Sequence, residues 1–488
     1  MTASEQLAQF AAGSKALPKL CREYKKERAT VHLKELVGGA LSFYAAAAVA
    51  KTGGVHIFVA EDRDAAAYLL NDFYNLLDEK QVYFFPSSYK RSAAYGAEDA
   101  QGVVQRTTAM NAVRGFTKGY LVVCTYPEAL AERVVDAATL QRDTIAVKLG
   151  DKISIAVLED ALADANFTRV DFVYEPGQYS VRGGIVDVFS YSESKPYRID
   201  FFGDEVDSIR RFNISSQLSA DKLDRVEIVP NLNAGEAPRV SFVQFAGSSA
   251  TCWFYDADYV LRRVNDLRRK VLADMEEPGQ IDRLLTSRNV LLRDMAGNSV
   301  VALRDNLPER PATAAVVFDT APQPKFNKNF EMLADDMIRN SLRGYATYIL
   351  SENKVQVERL ENIFHQIGRG QAAVRSLSVT LHEGFVDNDL KLCLYTDHQI
   401  FDRYQRYRIN GEIRRDEQMT VAELNQLRPG DYVVHIDHGV GRFDGLVKIN
   451  ENGKVHEAIK LVYKDGDVLF VNVHSLHRIS RYKSGDGE

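Results

Sequence analysis

The sequence predicts a multidomain protein of α/β and α+β units that ends in a small β-barrel. Its 488 residues exceed what one hydrophobic core usually holds. Helix and strand signals alternate up to about residue 143, which predicts a parallel sheet covered by helices. Short strand signals crowd residues 429–482, where Asn-Gly and Asp-Gly pairs mark tight turns, a pattern typical of an SH3/Tudor-like barrel.

The order of these signals divides the chain into six segments. A first α/β unit is predicted for 1–143, an inserted α+β unit for 144–231 and a mixed helix and strand segment for 232–323. A further α/β unit (324–403), a linker (404–428) and the barrel (429–482) follow. The stretch from Phe401 to Glu417 is polar and basic, so we expect an exposed linker or an extended helix there.

Composition restricts the classes of function. The net charge of −6 argues against general electrostatic coating of nucleic acid, so any DNA contact would need a local patch. The four cysteines form no CxxC pair, which predicts reduced thiols in a cytoplasmic protein without a disulfide framework or zinc site. The chain shows no signal-peptide pattern and no apolar run long enough to span a bilayer, so no membrane association is predicted.

The stretch ELVGGALS has the layout of a phosphate-binding loop, because a strand signal precedes Gly38 and Gly39 and a helix signal follows them. It lacks the Lys-Ser/Thr pair that would hold the terminal phosphates and Mg²⁺. No acidic strand end follows that could hold the metal. A structural glycine turn is therefore favoured over a nucleotide site, and no cofactor is predicted for this chain.

Residues 176–212 contain two strand signals separated by a polar turn region, as in a hairpin or meander. Alternation places Arg198, Asp200 and Phe202 on one face of the second strand. One interpretation buries Phe202 under a neighbouring element and pairs Arg198 with Asp200 or Asp204. The other makes this face a protein interface, since a large aromatic set between charges is a common anchor.

Two further patterns are open to a functional and a structural interpretation. The run VLRRVNDLRRKVLADM, residues 260–275, predicts a helix whose basic residues lie off its apolar stripe, either tracking a DNA backbone or facing solvent. His435, Asp437 and His438 lie close together, yet no fourth ligand stands at a familiar spacing. No catalytic motif stands out, so neither a metal site nor a catalytic residue is predicted.

Two stretches carry a resemblance to a known family. GQYSVRGGIVDVFS with YRIDFFGDEVDSIRRF resembles the second domain shared by the excision-repair protein UvrB and the bacterial transcription-repair coupling factor (Mfd) family. LRPGDYVVHIDHGVGRFDGL with LVYKDGDVLFVNVHSLHRISRY resembles the RNA-polymerase-interacting domain of that family, which UvrB lacks. The resemblance implies a UvrB-like, P-loop-NTPase-like module formed by 1–143 (domain 1A) and 232–323 (domain 1B), with a degenerate loop.

The resemblance also implies partners and contact residues. The family couples stalled transcription to nucleotide-excision repair: it recruits UvrA and displaces RNA polymerase with an ATP-driven DNA translocase. Arg182, Arg198 and Phe202 match the positions that contact UvrA. The segment that matches the docking edge for the polymerase β subunit consists of Leu446, Val447, Lys448 and Ile449.

In the family, the motor, with its ATP and Mg²⁺, lies C-terminal to the barrel. These 488 residues are therefore expected to be a fragment that acts as a non-catalytic adaptor, a monomer that binds DNA weakly or only through the motor. The alternative is a UvrB-like, DNA-dependent ATPase that verifies damage, with ATP at Gly38 and Gly39.

Overall fold

The computed structural model is a mixed α/β protein with several sheets, as the sequence predicts. The structure describes residues 2–89, 98–214, 217–233, 237–275, 278–403, 405, 407–409, 427–435, 439–451, 454–463, 467–472 and 479–481.

Helices and strands are numbered in chain order. The helices are α1 (Ala3–Ala12), α2 (Ala16–Tyr24), α3 (Ala40–Thr52), α4 (Arg63–Leu76), α5 (Ala100–Arg114), α6 (Pro127–Ala131), α7 (Ala137–Asp143), α8 (Ile155–Asp164), α9 (Phe242–Ala246), α10 (Ala257–Asp274), α11 (Ile281–Leu284), α12 (Arg288–Asp294), α13 (Phe330–Leu342), α14 (Lys354–Gln366) and α15 (Asp397–Ile400). The strands are β1 (Thr30–Lys34), β2 (Gly54–Val59), β3 (Val82–Phe84), β4 (Tyr120–Thr125), β5 (Val134–Val135), β6 (Ile145–Lys148), β7 (Thr168–Arg169), β8 (Gln178–Arg182), β9 (Ile185–Val188), β10 (Tyr197–Phe202), β11 (Glu205–Phe212), β12 (Ser219–Leu223), β13 (Arg225–Ile228), β14 (Arg239–Val240), β15 (Thr251–Phe254), β16 (Ser299–Ala302), β17 (Ala314–Val317), β18 (Thr320–Pro322), β19 (Ala346–Leu350), β20 (Ser376–Leu377), β21 (Phe385–Asp387), β22 (Leu392–Thr396), β23 (Tyr432–His435), β24 (Gly439–Glu451), β25 (Lys454–Val462), β26 (Val468–Asn472) and β27 (Ile479–Arg481).

Two distant stretches of the chain build one parallel sheet. Its order is β17-β1-β16-β15-β2-β4-β3, and every neighbouring pair is parallel. Strand β1 lies between two strands from the later stretch, because Val31 pairs with both Val301 and Ala314. Leu121 to Cys124 of β4 form an uninterrupted buried run, as expected for a parallel strand covered by helices on both faces.

The residues between these two stretches form sheets of their own. The larger has six strands in the order β12-β11-β10-β9-β8-β7, antiparallel except for β7 and β8. Helix α8 contributes Leu158 and Leu162 to the core on one face of this sheet, together with Val186, Ile199 and Ile209. This core is separate from the core of the parallel sheet, so the segment has its own hydrophobic centre.

A third sheet has the order β18-β21-β22-β19-β20, with α13 and α14 contributing to its core. It is tied to the parallel sheet by a buried hydrogen bond, in which Tyr44 Oη on α3 donates to Asp387 Oδ2 on β21 at 2.5 Å. Burial is the main cause that raises the pKa of both groups. The two α/β units therefore share a buried polar contact.

The segment after this sheet differs from the exposed linker or extended helix that its composition predicts. Tyr68 Oη on α4 donates to the carbonyl of Gln405 at 3.2 Å, and Asn71 Nδ2 donates to that of Arg408 at 2.8 Å. The side chain of Ile409 is buried in the core of the parallel sheet. The expectation of an exposed segment is thus wrong at Ile409, while Arg408 is exposed and two backbone carbonyls of the segment bond to α4. Residues 410–426 lie outside the described part.

The last sheet is antiparallel, with the order β26-β25-β24-β23-β27. Its core contains Val433, Phe443, Ile459, Leu461 and Val471. Strands appear where short strand signals predict them, and β27 is an additional strand. Closure into an SH3/Tudor-like barrel stays a prediction, and the predicted turns at residues 452–453 and 465–466 lie outside the described residues.

Candidate protein-interaction sites

The predicted UvrA contact residues lie on β8 and β10 of the six-stranded sheet. Strands β10 and β11 are joined by a turn at Gly203 and Asp204, where the glycine has a φ of 62°. A positive φ at the first turn position suits a tight hairpin and favours glycine. Tyr197 and Ile199 of β10 point into the core, so the face predicted by alternation is the outer one.

Asp187 on β9 is the centre of this outer face. Its side chain is 1% exposed and pairs with Arg198, with Nε to Oδ1 at 2.7 Å and Nη2 to Oδ2 at 2.8 Å. Arg182 Nη2 donates to the same Oδ2 at 2.5 Å. The guanidinium carbons lie 4.5 Å from the Phe212 ring for Arg198 and 4.6 Å from the Phe172 ring for Arg182. Two of the three predicted contact residues thus share one buried carboxylate, with a two-bond geometry that fixes Arg198.

The interpretation that pairs Arg198 with Asp200 or Asp204 is wrong. Asp200 Oδ2 accepts hydrogen bonds from Arg210 and Ser208 on β11. Arg198 finds Asp187 instead because the two residues stand directly opposite each other in the register of β9 and β10. The hydrogen bonds to Asp187 are the main cause that raises the pKa of Arg198, which keeps it charged.

Phe202 is the most exposed part of this face. Its side chain is 84% exposed at the last position of β10, so the interpretation that buries it under a neighbouring element is also wrong. The register of β10 and β11 shifts between Asp200 and Phe201, and Phe201 packs on the core while Phe202 opposes Glu205. The result is a lone aromatic ring in solvent, beside a face whose charged side chains are held by one another.

The predicted polymerase-docking segment lies in the second half of β24. Leu446 pairs with Ile459 of β25 and Ile449 pairs with His456, whereas β23 pairs only with residues 439–442. In the described part of this sheet, no strand pairs with the other edge of β24 beyond Phe443. Leu446 is 44% exposed, and the side chains of Lys448 and Ile449 lie outside the described residues. The backbone thus presents a free strand edge at the predicted place.

The glycine loop packs closely against another part of the chain. Gly38 has a φ of 58°, and a Cβ atom on Gly39 would lie 2.1 Å from the carbonyl oxygen of Glu383. A Cβ atom on Gly38 would lie 3.1 Å from the carbonyl oxygen of Gly384. Both glycines are therefore needed for the close approach of this backbone, which supports the interpretation of a structural glycine turn.

A buried carboxylate lies behind the loop. Asp72 on α4 accepts hydrogen bonds from Ser42 Oγ at 2.6 Å and from the backbone N–H of His382 at 2.7 Å. Burial raises the pKa of Asp72 to about 7. Like the packing at the glycine loop, this contact joins the first α/β unit to residues 382–384.

Comparison with known proteins supports the resemblance stated above. The family model of the UvrB interaction domain matches residues 145–233, and that of the CarD-like/TRCF RID domain matches residues 427–483. A transcription-repair-coupling factor of Bacillus subtilis is 23% identical over 546 residues, covering 93% of this chain and 45% of its own length. That of Escherichia coli is 24% identical over 528 residues, with the same two coverages. That of Staphylococcus epidermidis is 22% identical, covering 85% of this chain and 42% of its own length.

The chain is similar to transcription-repair-coupling factors over most of its length. It spans less than half the length of these curated relatives and matches their N-terminal portion. Arg182, Arg198 and Phe202 fall within the match to the UvrB interaction domain, and the segment Leu446 to Ile449 falls within the match to the RID domain. These residue assignments stay predictions.

Sequence reasoning missed Asp187, although a signal for it exists. Asp187 interrupts the otherwise apolar strand Ile185–Val188, and a buried acid needs a charged partner. Its partners could not be named in advance, because they depend on how β9 aligns with its neighbours on both sides.

The basic face of α10 is largely neutralised within the chain. Arg262 pairs with Asp258, and Arg263, Arg268 and Arg269 each pair with another carboxylate. This pairing favours the interpretation of a solvated face over that of a DNA-tracking helix.

Two further observations are limited to the described residues. No group of three His, Cys, Asp or Glu side chains among them is arranged to hold a metal ion, while Asp437 and His438 lie outside this part of the chain. None of the helices that the structure describes is long and apolar enough to cross a membrane.

Proposed function

We propose that the chain is a transcription-coupled nucleotide-excision repair factor that acts as a non-catalytic adaptor. It recruits UvrA through residues 145–233 and binds the β subunit of RNA polymerase through residues 427–483. The two domain matches and the printed names of the relatives support this proposal.

The exposure of Phe202 carries the UvrA part of the proposal. An aromatic side chain that is 84% exposed contributes little to its own fold, whereas aromatic anchors dominate binding energy at protein interfaces. The ion pairs of Asp187 hold the surrounding face in one arrangement, so a partner would meet a preorganised surface. Phe202 would therefore be the anchor, and Arg198 and Arg182 would form the charged surface next to it.

The test measures UvrA binding to immobilised wild-type chain and to Phe202→Ala. Loss of a central aromatic anchor costs about 2 kcal/mol or more, so we expect the affinity to fall by a factor of about 30. Leu342→Ala is the matched control, because Leu342 is also 84% exposed but lies at the end of α13. Equal affinity of Phe202→Ala and wild type would contradict the assignment of this face.

The free edge of β24 supports the polymerase part. A partner strand can add to an unpaired edge through backbone hydrogen bonds, with side chains providing specificity. Leu446→Arg and Ile449→Arg are expected to abolish binding of the polymerase β subunit, since each places a charge at the docking edge. Val468→Arg is the control, because Val468 is as exposed as Leu446, at 44%, but lies on β26. Loss of binding in Val468→Arg alone would place the docking edge elsewhere on the sheet.

ATP hydrolysis is not part of the function proposed for these residues. The glycine loop lacks the Lys-Ser/Thr pair of a phosphate-binding loop, and its two glycines allow the backbone of Glu383 and Gly384 to pack closely against it. The motor activity of the family is accordingly not assigned to Gly38 and Gly39, and UvrB-like ATP-dependent damage verification has no supporting observation at this loop.

A further inference from the structure

A cavity of about 350 Å³ lies at the carboxyl ends of strands in the parallel sheet. Its walls include the glycine loop, the end of β2, residues 253–255 of and after β15, and part of α4. Residues His382 and Glu383 of the third sheet's unit close one side. In open α/β sheets, ligands bind at the carboxyl ends of the strands, and 350 Å³ is within the range of small-molecule sites.

The charge of the cavity excludes the ligand class that its position suggests. Two exposed carboxylates, Glu61 and Glu383, line it beside the buried Asp72, and the described lining contains neither Lys nor Arg. The carboxylate of Glu383 reaches the glycine loop, with Oε2 3.4 Å from the position of a Cβ on Gly38. A phosphate would meet like charge here, whereas a cation would meet opposite charge.

Aromatic rings form much of the remaining wall. Trp253 stacks on Phe58 with ring centroids 4.9 Å apart and an interplanar angle of 20°. Its Nε1–H donates to Nδ1 of His56 at 3.1 Å, which fixes the orientation of the indole. Tyr68 stacks on His382, with centroids 3.7 Å apart. These fixed rings give the cavity a rigid apolar wall, and the carboxylates beside it attract a cationic group.

We propose that this cavity is a small-molecule site that binds an organic cation with an apolar body. The apolar body fits among Phe58, Leu69 and Trp253, and the cationic group faces Glu61 and Glu383. This site is separate from the two protein-docking surfaces proposed above, so its failure would leave them unaffected.

The test uses three probes of similar size that differ in charge: phenethylamine, phenethyl alcohol and phenylacetate. Trp253 is the single tryptophan of the chain and lines the cavity, so its fluorescence reports occupancy directly. We expect saturable binding of phenethylamine, about tenfold tighter than that of phenethyl alcohol, and no saturable binding of phenylacetate or ATP. Equal affinities for amine and alcohol, tighter binding of phenylacetate or ATP, or no saturable signal with the amine would overturn the proposal.

A charge-neutralising variant checks the location of the cationic group. Glu383→Gln should weaken phenethylamine binding about threefold to tenfold and leave phenethyl alcohol unaffected. The side chain of Glu383 is exposed, so this change is not expected to alter folding, which the unfolding temperature verifies. Asp164→Asn, an exposed acid on α8, is the control and should change neither affinity. Unchanged amine binding in Glu383→Gln would refute the assignment of that carboxylate.

Discussion

Arg198→Ala should destabilise the six-stranded sheet, whereas Phe202→Ala should weaken UvrA binding without destabilising it. Arg198 is 15% exposed at its side chain and Asp187 is 1% exposed, so the pair is largely withdrawn from water. Removing one member of a buried ion pair costs about 3–5 kcal/mol, because the other charge stays buried. Arg182 remains as a partner of Asp187 in Arg198→Ala. The expected loss of stability therefore lies near the lower end of this range, at about 3 kcal/mol.

Phe202→Ala should leave the stability of the same sheet nearly unchanged. A fully buried aromatic side chain removes about 200 Å² from water, and each Å² contributes about 25 cal/mol. With 84% of Phe202 exposed, only on the order of 30 Å² is at stake, or less than about 1 kcal/mol. Arg198→Lys should lower the stability of the sheet less than Arg198→Ala does, since lysine keeps the charge but loses one of the two parallel hydrogen bonds to Asp187.

The assay is amide hydrogen exchange of β9, β10 and β11 in the whole chain, because exchange reports the local stability of one sheet in a multidomain protein. Arg198→Ala should exchange much faster in these strands, and Phe202→Ala should match wild type while still losing UvrA. If the two variants exchange alike, the buried pair does not stabilise the sheet as argued. UvrA binding lost only in Arg198→Ala would mean that Phe202 is not the anchor.

Three further predictions concern the contact between the first α/β unit and residues 382–384. Burial raises the pKa of Asp72 to about 7, so its contribution to stability is full in acid and lost as pH rises from about 4 to 7; in urea unfolding, Asp72→Asn should remove up to about 4 kcal/mol of pH dependence. Gly39→Ala should lower the free energy of unfolding by about 1–3 kcal/mol, because its Cβ would meet the carbonyl of Glu383; an unchanged value would contradict the close approach. ATP should cause no thermal shift, whereas a ligand at a hundred times its dissociation constant would stabilise by about 2.7 kcal/mol.

The sequence predicts elements better than the contacts between them. The sequence predicts a helix directly after Gly38 and Gly39, and α3 is observed at Ala40–Thr52, because an apolar run after the two glycines defines it locally. That Gly39 approaches Glu383 could not be predicted, since this contact depends on how two sheets meet across more than three hundred residues of chain. The same reason explains the docking of Ile409, whose polar neighbours suggested solvent.

On the outer face of the six-stranded sheet, too, the sequence predicts the element but not its contacts. Alternation identifies the side of β10 that carries Arg198 and Phe202, because side chains of a strand alternate regardless of its neighbours. It does not identify Asp187 as the partner of Arg198, which requires the register of β9. Nor does it show that Phe202 is exposed, since exposure depends on what covers the end of the hairpin.

The two proposed docking surfaces differ in their risk of unwanted association with other strands. An unpaired strand edge invites association with any other strand, and proteins usually blunt such edges with bulges and twist. Strand β24 has such an irregularity where its register shifts between Phe443 and Leu446, with Gly445 at a φ of 105°. The shift lies just before the part of the strand that β23 leaves unpaired, and an irregularity at this place interrupts a flat template. Phe202 does not require an irregularity of this kind, because a single ring at the tip of a hairpin offers no backbone for strand pairing. The polymerase contact should therefore depend on strand geometry, and the UvrA contact on one side chain.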